Sequence, residues 1–372
     1  MGDLNKQDTT SVIPIDPDGD LTLKVGADIE GQHETRFLVC SSTLRRSSLV
    51  FKKMLFGPWV DSKPESGNWV VALPEDMPCA MKRVLAIIHG RFELAEESWD
   101  LLSLEKTITL VDKYDMTHIL RPWRTRIREL VTDSCVSDAR FRVAIIHVAW
   151  GIGVQEAFVS TVKEVIFAAS MTEDGQLELV GETERLNLST LESFGPLDMA
   201  NTITNRRTVL IQAILDHFHG KLSRLANAAS PVCKAYKSTG TDGTFCFQRG
   251  YYPERSYCSD CSQHHESEII PPRVCDSIIL GSIWRQLLLQ KPGDGNLPTV
   301  ASDFLGSADG LLQTLSKMFG ELKCTSAHQR CSPRSEFEAF VKATREDERW
   351  TKGWQTEFHR SQMKQQREKL GL

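Results

Sequence analysis

The sequence predicts an α+β chain, with a short sheet flanked by helices at the N-terminal end. A mainly α-helical part follows, interrupted by a Cys-rich loop. Three observations carry this reading. Leu21, Leu23 and Val25 alternate with Thr22 and Lys24, the period-two pattern of a half-buried strand. From Phe141 onward the apolar residues recur at helical spacing instead. The cysteines crowd into the second half: only Cys40, Cys79 and Cys135 precede Cys233, and the other seven lie between Cys233 and Cys331.

A length of 372 residues suggests two to three domains. A composition of 41% hydrophobic and 25% charged residues belongs to a soluble globular chain, and excludes a mainly disordered, collagenous or coiled-coil one. No apolar run approaches the ~20 residues of a membrane helix; the best, Val143 to Ile152, contains His147. The start, MGDLNKQDTT, lacks the basic and apolar regions of a signal peptide. The chain is therefore expected inside the cell, in cytoplasm or nucleus. A net charge of −5 and a pI near 6.1 argue against holding nucleic acid by bulk electrostatics. In a reducing compartment ten cysteines point to metal ligands, reactive thiols or small core residues.

Residues 1–18 are polar, carry Pro14 and Pro17 and show no period, which reads as a flexible leader. The strand at Leu21–Val25 is followed by a turn through Gly31 and a second strand at Arg36 to Cys40, together a hairpin. Ser41 and Ser42 are candidate caps for a short helix. The next helix runs through Ser48, Phe51, Met54 and Leu55 until Gly57 and Pro58 stop it. Trp69 to Leu73 is another strand. Pro78 suits a helix start, with Met81, Val84, Leu85 and Ile88 as its apolar face. Leu101, Leu104, Ile108 and Val111 mark a further helix.

Gly151 and Gly153 interrupt the helical period between Phe141 and Ala169, so two helices are expected to meet there. Ile203 to Leu225 is a helix. Pro231 to Pro272 has no sustained period and is too long for an idle loop, which favours a metal clip or disorder. Ile278 to Leu289 is apolar on nearly every side, as a buried helix would be. After Ser332 the tail reads as one charged helix, with Pro333 just inside its start.

Gly19 to Trp123 resembles a BTB/POZ domain of the divergent fungal type. The carriers are GDLTLKVG (Gly19–Gly26), RFLVCSSTLRRSSLVFKKML (Arg36–Leu55), VVALPED (Val70–Asp76) and LVDKYDM (Leu110–Met116). CDSIILGSIW (Cys275–Trp284) and His328 to Cys331 also resemble the C-terminal region of such proteins. The resemblance implies a small α+β interaction domain without a catalytic site, which pairs with itself as a homodimer or recruits protein partners. It further implies possible docking to a cullin ubiquitin-ligase scaffold. In adaptors the docking element is an apolar residue, any residue, then Glu; here the matching positions are Trp59, Val60 and Asp61. The leader lacks the amphipathic helix that many members exchange between protomers. The expected organisation is a leader at 1–18, a BTB/POZ-like domain at 19–130 and a helical region at 131–230. A Cys/His-rich loop with a buried helix follows at 231–334, and a charged C-terminal helix at 335–372.

For chemistry, Cys258-x2-Cys261-x2-His264 places two thiolates on a turn where both can reach one tetrahedral zinc. Cys324-x3-His328-x2-Cys331 offers a second half-site. The favoured structural zinc ligands are Cys258, Cys261, His328 and Cys331, with His264, Cys275 and Cys324 as alternates. The plainer reading is unpaired thiols in a loop, with Cys275 packed in its helix. Arg121, Arg124 and Arg128 share a helical face that could meet an acidic partner, or simply be solvated. Trp350, Trp354 and Phe358 fall at i, i+4, i+8, either a partner-docking stripe or one that packs back on the chain. His217-x-His219 points its rings apart, and Gly151-x-Gly153 does not follow a strand, so neither is a metal pair or dinucleotide loop. The functional expectation is a non-enzymatic interaction protein. A cullin adaptor, or a metal-dependent or thiol enzyme in the Cys-rich half, are the alternatives.

Overall fold

The computed structural model describes residues 12–95, 99–132, 138–181, 184–191, 198–227, 232, 243–246, 250–253, 272–290, 297–322, 331–350, 355 and 357–372. The architecture is mixed α+β, with a small sheet near the N-terminal end followed mostly by helices. The chain divides into two units, Met1–Val162 with Gly181–Leu186 and Gly353–Leu372, and Lys163–Val180 with Asn187–Lys352. Among the described residues no helix is long and apolar enough to cross a membrane.

In the first unit β1 (Val12–Pro14), β2 (Leu21–Val25), β3 (Thr35–Val39) and β4 (Val70–Leu73) form a sheet of order β1-β3-β2-β4. β2 and β3 are the antiparallel hairpin, while β1 runs parallel to β3 and β4 parallel to β2. Leu23 stands opposite Phe37 on one side and Val71 on the other, and all three are buried. A row of apolar side chains thus crosses the sheet on its covered face. β1 draws residues 12–14 of the expected flexible leader into the sheet, while residues 1–11 lie outside the described residues. A three-residue strand shows no local period; its pairing with β3 and the burial of Ile15 create it.

Helices α1 (Ser41–Ser47), α2 (Leu49–Phe56), α3 (Pro78–Ile88), α4 (Phe92–Ala95) and α5 (Leu101–Lys113) follow, with a 3-10 turn at Thr117–Trp123 and α6 (Arg124–Thr132) after them. Pro78 takes the first turn of α3 and Gly57 ends α2, as the sequence predicts. The capping of α1 differs. Cys40 occupies the cap position without a side-chain bond, and Ser41 instead donates its backbone N–H and hydroxyl to the Asp20 carboxylate, each at 2.8 Å. A capping group twenty-one residues away replaces the local one.

His89 closes α3. The Cys40 backbone N–H donates to its Nε2 at 3.1 Å, so the ring proton resides on Nδ1 and is donated to the Leu85 carbonyl at 2.8 Å. Burial lowers the His89 pKa below its ordinary value, and burial does the same to His147. The fold thus prefers the neutral rings. Their contribution is fully present above the unfolded value of about pH 6.5 and is lost as pH falls toward the depressed folded values. We expect the melting temperature to drop between pH 7.5 and 5, with a shallower drop for His89→Asn. Equal slopes in scanning calorimetry would refute the assignment.

Helices α7 (Ala139–Ile152) and α8 (Gln155–Ala168) meet where the glycines predict. Gly151 lets α7 approach α5 closely, since a Cβ there would lie 2.3 Å from Ile108 Cγ2. Arg140 of α7 forks onto Glu105 of α5 at 2.6 and 3.3 Å. Helix Glu357–Leu370 belongs to this unit too. Its Gln366 donates to Asp112 at 2.7 Å and accepts from Thr117 at 3.2 Å.

The second unit holds β5 (Ser170–Met171) paired antiparallel with β6 (Leu177–Val180), then β7 (Arg185–Asn187), which straddles the division. These strands lie within the region 131–230 expected to be helical; they are too short for alternation to show. Next come α9 (Met199–Asn227), the hairpin β8 (Gly243–Cys246) and β9 (Gly250–Pro253), α10 (Pro272–Gln290), α11 (Ala308–Gly320) and α12 (Arg334–Glu346). Helix Glu357–Leu370 is α13. Ile203, Arg207, Leu210, Ile214 and Phe218 form the buried stripe of α9. On α10 only one side is covered: Ile279, Ile283 and Leu287 are buried, but Trp284 and Leu288 are exposed. The all-round apolar pattern therefore overstates its burial.

The tail is not one helix. α12 ends at Asp347, whose backbone is extended, and α13 starts ten residues later. Trp350 is buried in a 3-10 turn and bonds the Thr344 carbonyl at 2.8 Å, Phe358 is exposed, and Trp354 lies outside the described residues. Trp350 and Phe358 thus belong to different elements, one buried and one exposed, and do not share a single face.

Candidate interaction surface

Ser48 builds the start of α2. Its hydroxyl accepts from the Phe51 N–H at 3.0 Å and donates to the Tyr114 carbonyl at 2.6 Å. The Phe51 ring stacks on Tyr114, centroids 4.2 Å apart, and the Tyr114 hydroxyl bonds the buried Asp76 carboxylate. Lys113 pairs with the same carboxylate at 2.6 Å. Burial, reinforced by Asp76, raises the Tyr114 pKa, so the phenol stays protonated and donates.

With Phe51 and Leu55 turned inward, the opposite face of α2 carries Leu49, Lys53 and Phe56 into solvent, with Val50 and Lys52 beside them. Leu49 is 61% exposed. The Arg45 guanidinium from α1 sits 5.0 Å from the centre of the Phe56 ring. A shallow cleft of about 330 Å³ opens between these groups, lined by Arg45, Leu49, Lys52, Lys53, Phe56 and Gly57. Three cations border it and no carboxylate lines it. Among the described residues, neither Lys52 nor Lys53 has an ion-pair partner.

The following loop is held down at both ends. The Ser62 hydroxyl accepts from the Trp59 N–H at 3.2 Å and contacts the Gly57 carbonyl; the Lys63 N–H reaches Leu55 O at 3.2 Å. The Trp69 indole N–H donates to the Asp61 carbonyl at 3.0 Å, and its ring meets Phe56 edge-on. What this loop presents is apolar: Trp59 is 64% exposed and Val60 wholly so, while Asp61 is half-buried. The three residues predicted for partner binding lie on a loop anchored by these bonds, with Trp59 and Val60 outward.

Arg45, Leu49, Lys52, Lys53 and Phe56 were not legible as a site from spacing alone. A signal was present nonetheless, because LVFKKMLF carries six apolar residues in eight, more than one buried face of a surface helix requires.

The predicted arginine face has a local role. Arg121 donates to the Lys369 carbonyl at 2.7 Å at the C-terminal end of α13, Arg124 lies near Gly371, and Arg126 pairs with Glu129. Cations at a helix C-terminus complement its dipole. A larger cleft of about 570 Å³, lined by Arg128, Gln155, Glu156, Ser160 and Arg367 among others, contains no Cys or His. Ser160 donates to the Ala157 carbonyl at 3.1 Å.

Of the proposed zinc ligands, Cys258, Cys261, His264, Cys324 and His328 lie outside the described residues. Cys275 is buried on α10, and Cys331 is half-buried just ahead of α12. Among the described residues no three His, Cys, Asp or Glu side chains converge on a metal-sized site. His217 stacks on Phe340 at 3.8 Å, whereas His219 bonds the Pro298 carbonyl, which agrees with their rings pointing apart. No protein-family model matches the chain, and no curated protein matches it.

Proposed function

We propose that this chain is a non-enzymatic protein–protein interaction protein whose first unit works as a BTB/POZ-like module, by self-association or by recruiting a partner. The observation that carries the reading is the exposed apolar run from α2 through Val60, on a loop anchored by hydrogen bonds. Five large apolar side chains, Leu49, Val50, Phe56, Trp59 and Val60, stand in solvent within twelve residues. Such a cluster is the surface mark of an interface. The order strand, strand, helix, helix, strand, helix with two parallel outer pairings supports the BTB/POZ likeness. β2 turns Leu21, Leu23 and Val25 into the core, whereas α2 keeps Leu49, Val50 and Phe56 in solvent for a partner. In the second unit a structural zinc on Cys258, Cys261, His328 and Cys331 would tie the Cys-rich loop to the chain ahead of α12.

The exposure of Trp59 favours one second reading, an adaptor for a cullin scaffold. Native mass spectrometry of protein purified without added metal or chelator, alone and with a cullin N-terminal fragment, tests these together. We expect one zinc per chain, and a second copy or a protein partner bound. A metal-free spectrum removes the zinc. No cullin complex with the wild-type chain, or one that survives Trp59→Ala, removes the adaptor reading.

A further inference from the structure

The cleft on α1 and α2 carries information about what it receives. We propose that its occupant is an acidic amphipathic peptide segment of a partner protein, which seats an apolar side chain between Leu49 and Phe56 and pairs its carboxylates with Arg45, Lys52 and Lys53. This rests on the reading of the first unit as an interaction module and specifies its partner.

Two physical facts select this occupant. The first is charge. The walls are apolar, but every ionisable group lining the cleft is a cation, and Lys52 and Lys53 have no anionic partner of their own among the described residues. The chain as a whole is acidic, with a net charge of −5. A positive island on an acidic protein attracts an acidic segment and repels another basic patch, including its own counterpart on a second copy. The second is symmetry. If two copies paired through this cleft, the interface would be isologous and would set Lys52 and Lys53 of each copy against those of the other. Like charges brought together in a desolvated patch repel strongly. A second copy is therefore disfavoured at this place, whatever pairing occurs elsewhere.

The volume agrees. About 330 Å³ accommodates one or two large side chains, so affinity must come from a short segment with an anchor and flanking carboxylates. Hydrogen bonds from Ser48 to Tyr114 and from Trp59 to Ser62 anchor the backbone on both sides of the cleft, which limits the ordering needed there.

The test uses the full chain and a phage-displayed library of random 16-residue peptides, followed by anisotropy titration of the enriched sequences. We expect enrichment of peptides that combine Asp or Glu with Leu, Phe or Trp at helical spacing. We expect at least about tenfold weaker binding to the double variant Lys52→Glu, Lys53→Glu, and weaker binding as salt rises. Leu49→Ala should weaken the same peptides without changing the melting temperature greatly, since Leu49 is exposed. Enriched peptides that are neutral or basic, or that bind the double variant equally well, overturn the proposed partner while leaving an interaction module. Co-sedimentation with phosphatidylserine vesicles that the double variant loses, without peptide enrichment, reassigns the patch to a membrane surface. No enrichment and a strictly monomeric chain overturn both readings at once.

Discussion

Arg207→Met is expected to lower unfolding stability by about 4 kcal/mol or more, since it leaves three carbonyls without their donor. Arg207 is 2% exposed, among the least accessible large side chains of the chain. Its Nε donates to the Ala169 carbonyl at 3.1 Å and its Nη2 to the Phe304 carbonyl at 2.7 Å and to that of Gly306. Among the described residues no carboxylate pairs with it, and burial pulls its pKa down to about 10, so it remains charged at neutral pH. Three carbonyls from two separate segments are thus satisfied by one guanidinium. Methionine fills much of the volume but donates nothing, and each buried acceptor left without a donor costs about 1–3 kcal/mol. Arg207→Lys should recover part of the loss, because an ammonium can still reach a carbonyl but lacks the fork. Urea titration gives the size, and hydrogen exchange at Met171, whose N–H donates to the Leu305 carbonyl, gives the place. An unchanged urea midpoint would mean that the carbonyls find other donors.

The second large effect is expected at Gly153. Its φ is +74°, and a Cβ there would lie 2.2 Å from the Met363 carbonyl oxygen and 2.7 Å from the Arg367 backbone nitrogen. Both are backbone atoms of α13. That helix cannot shift freely, since Gln366 is bonded to Thr117 and Asp112, and Lys369 pairs with Asp115. Gly153→Ala therefore combines left-handed backbone strain of about 1–2 kcal/mol with overpacking of about 1–3 kcal/mol. Gly90 isolates the two parts. It has a similar φ of +71° but nothing within 4 Å of its Cβ position. Gly90→Ala should cost only the strain, and the difference between the two variants in thermal melts measures the contact. If the two lose the same amount, α13 yields and the close approach is not decisive.

Much of the first unit was legible because its elements bury one face each and end on recognisable residues. Period-two alternation located β2, and Gly57, Pro78 and Gly153 marked helix ends that the backbone uses. The candidate surface was half legible. Trp59 to Asp61 could be picked out by resemblance, but the cationic cleft beside them depends on which face of α2 the core claims, and Ser48 and Tyr114 decide that. Where pattern was read over too long a stretch it failed: Ser332 to Leu372 keeps helical spacing while the backbone breaks at Asp347.

The sequence by itself determined the local conformations and the mixed class of the chain. Side-chain periodicity, Gly and Pro placement act over a few residues, and that is the range at which they can be read. The tertiary structure alone decided the pairing of Val12–Pro14 with β3, the cap that Asp20 lends to α1, the neutral state of His89, and the carbonyls gathered by Arg207. Each joins groups that are twenty to a hundred residues apart. Their bonds form only when burial removes the competing water, and no local spacing records which distant partner will be there.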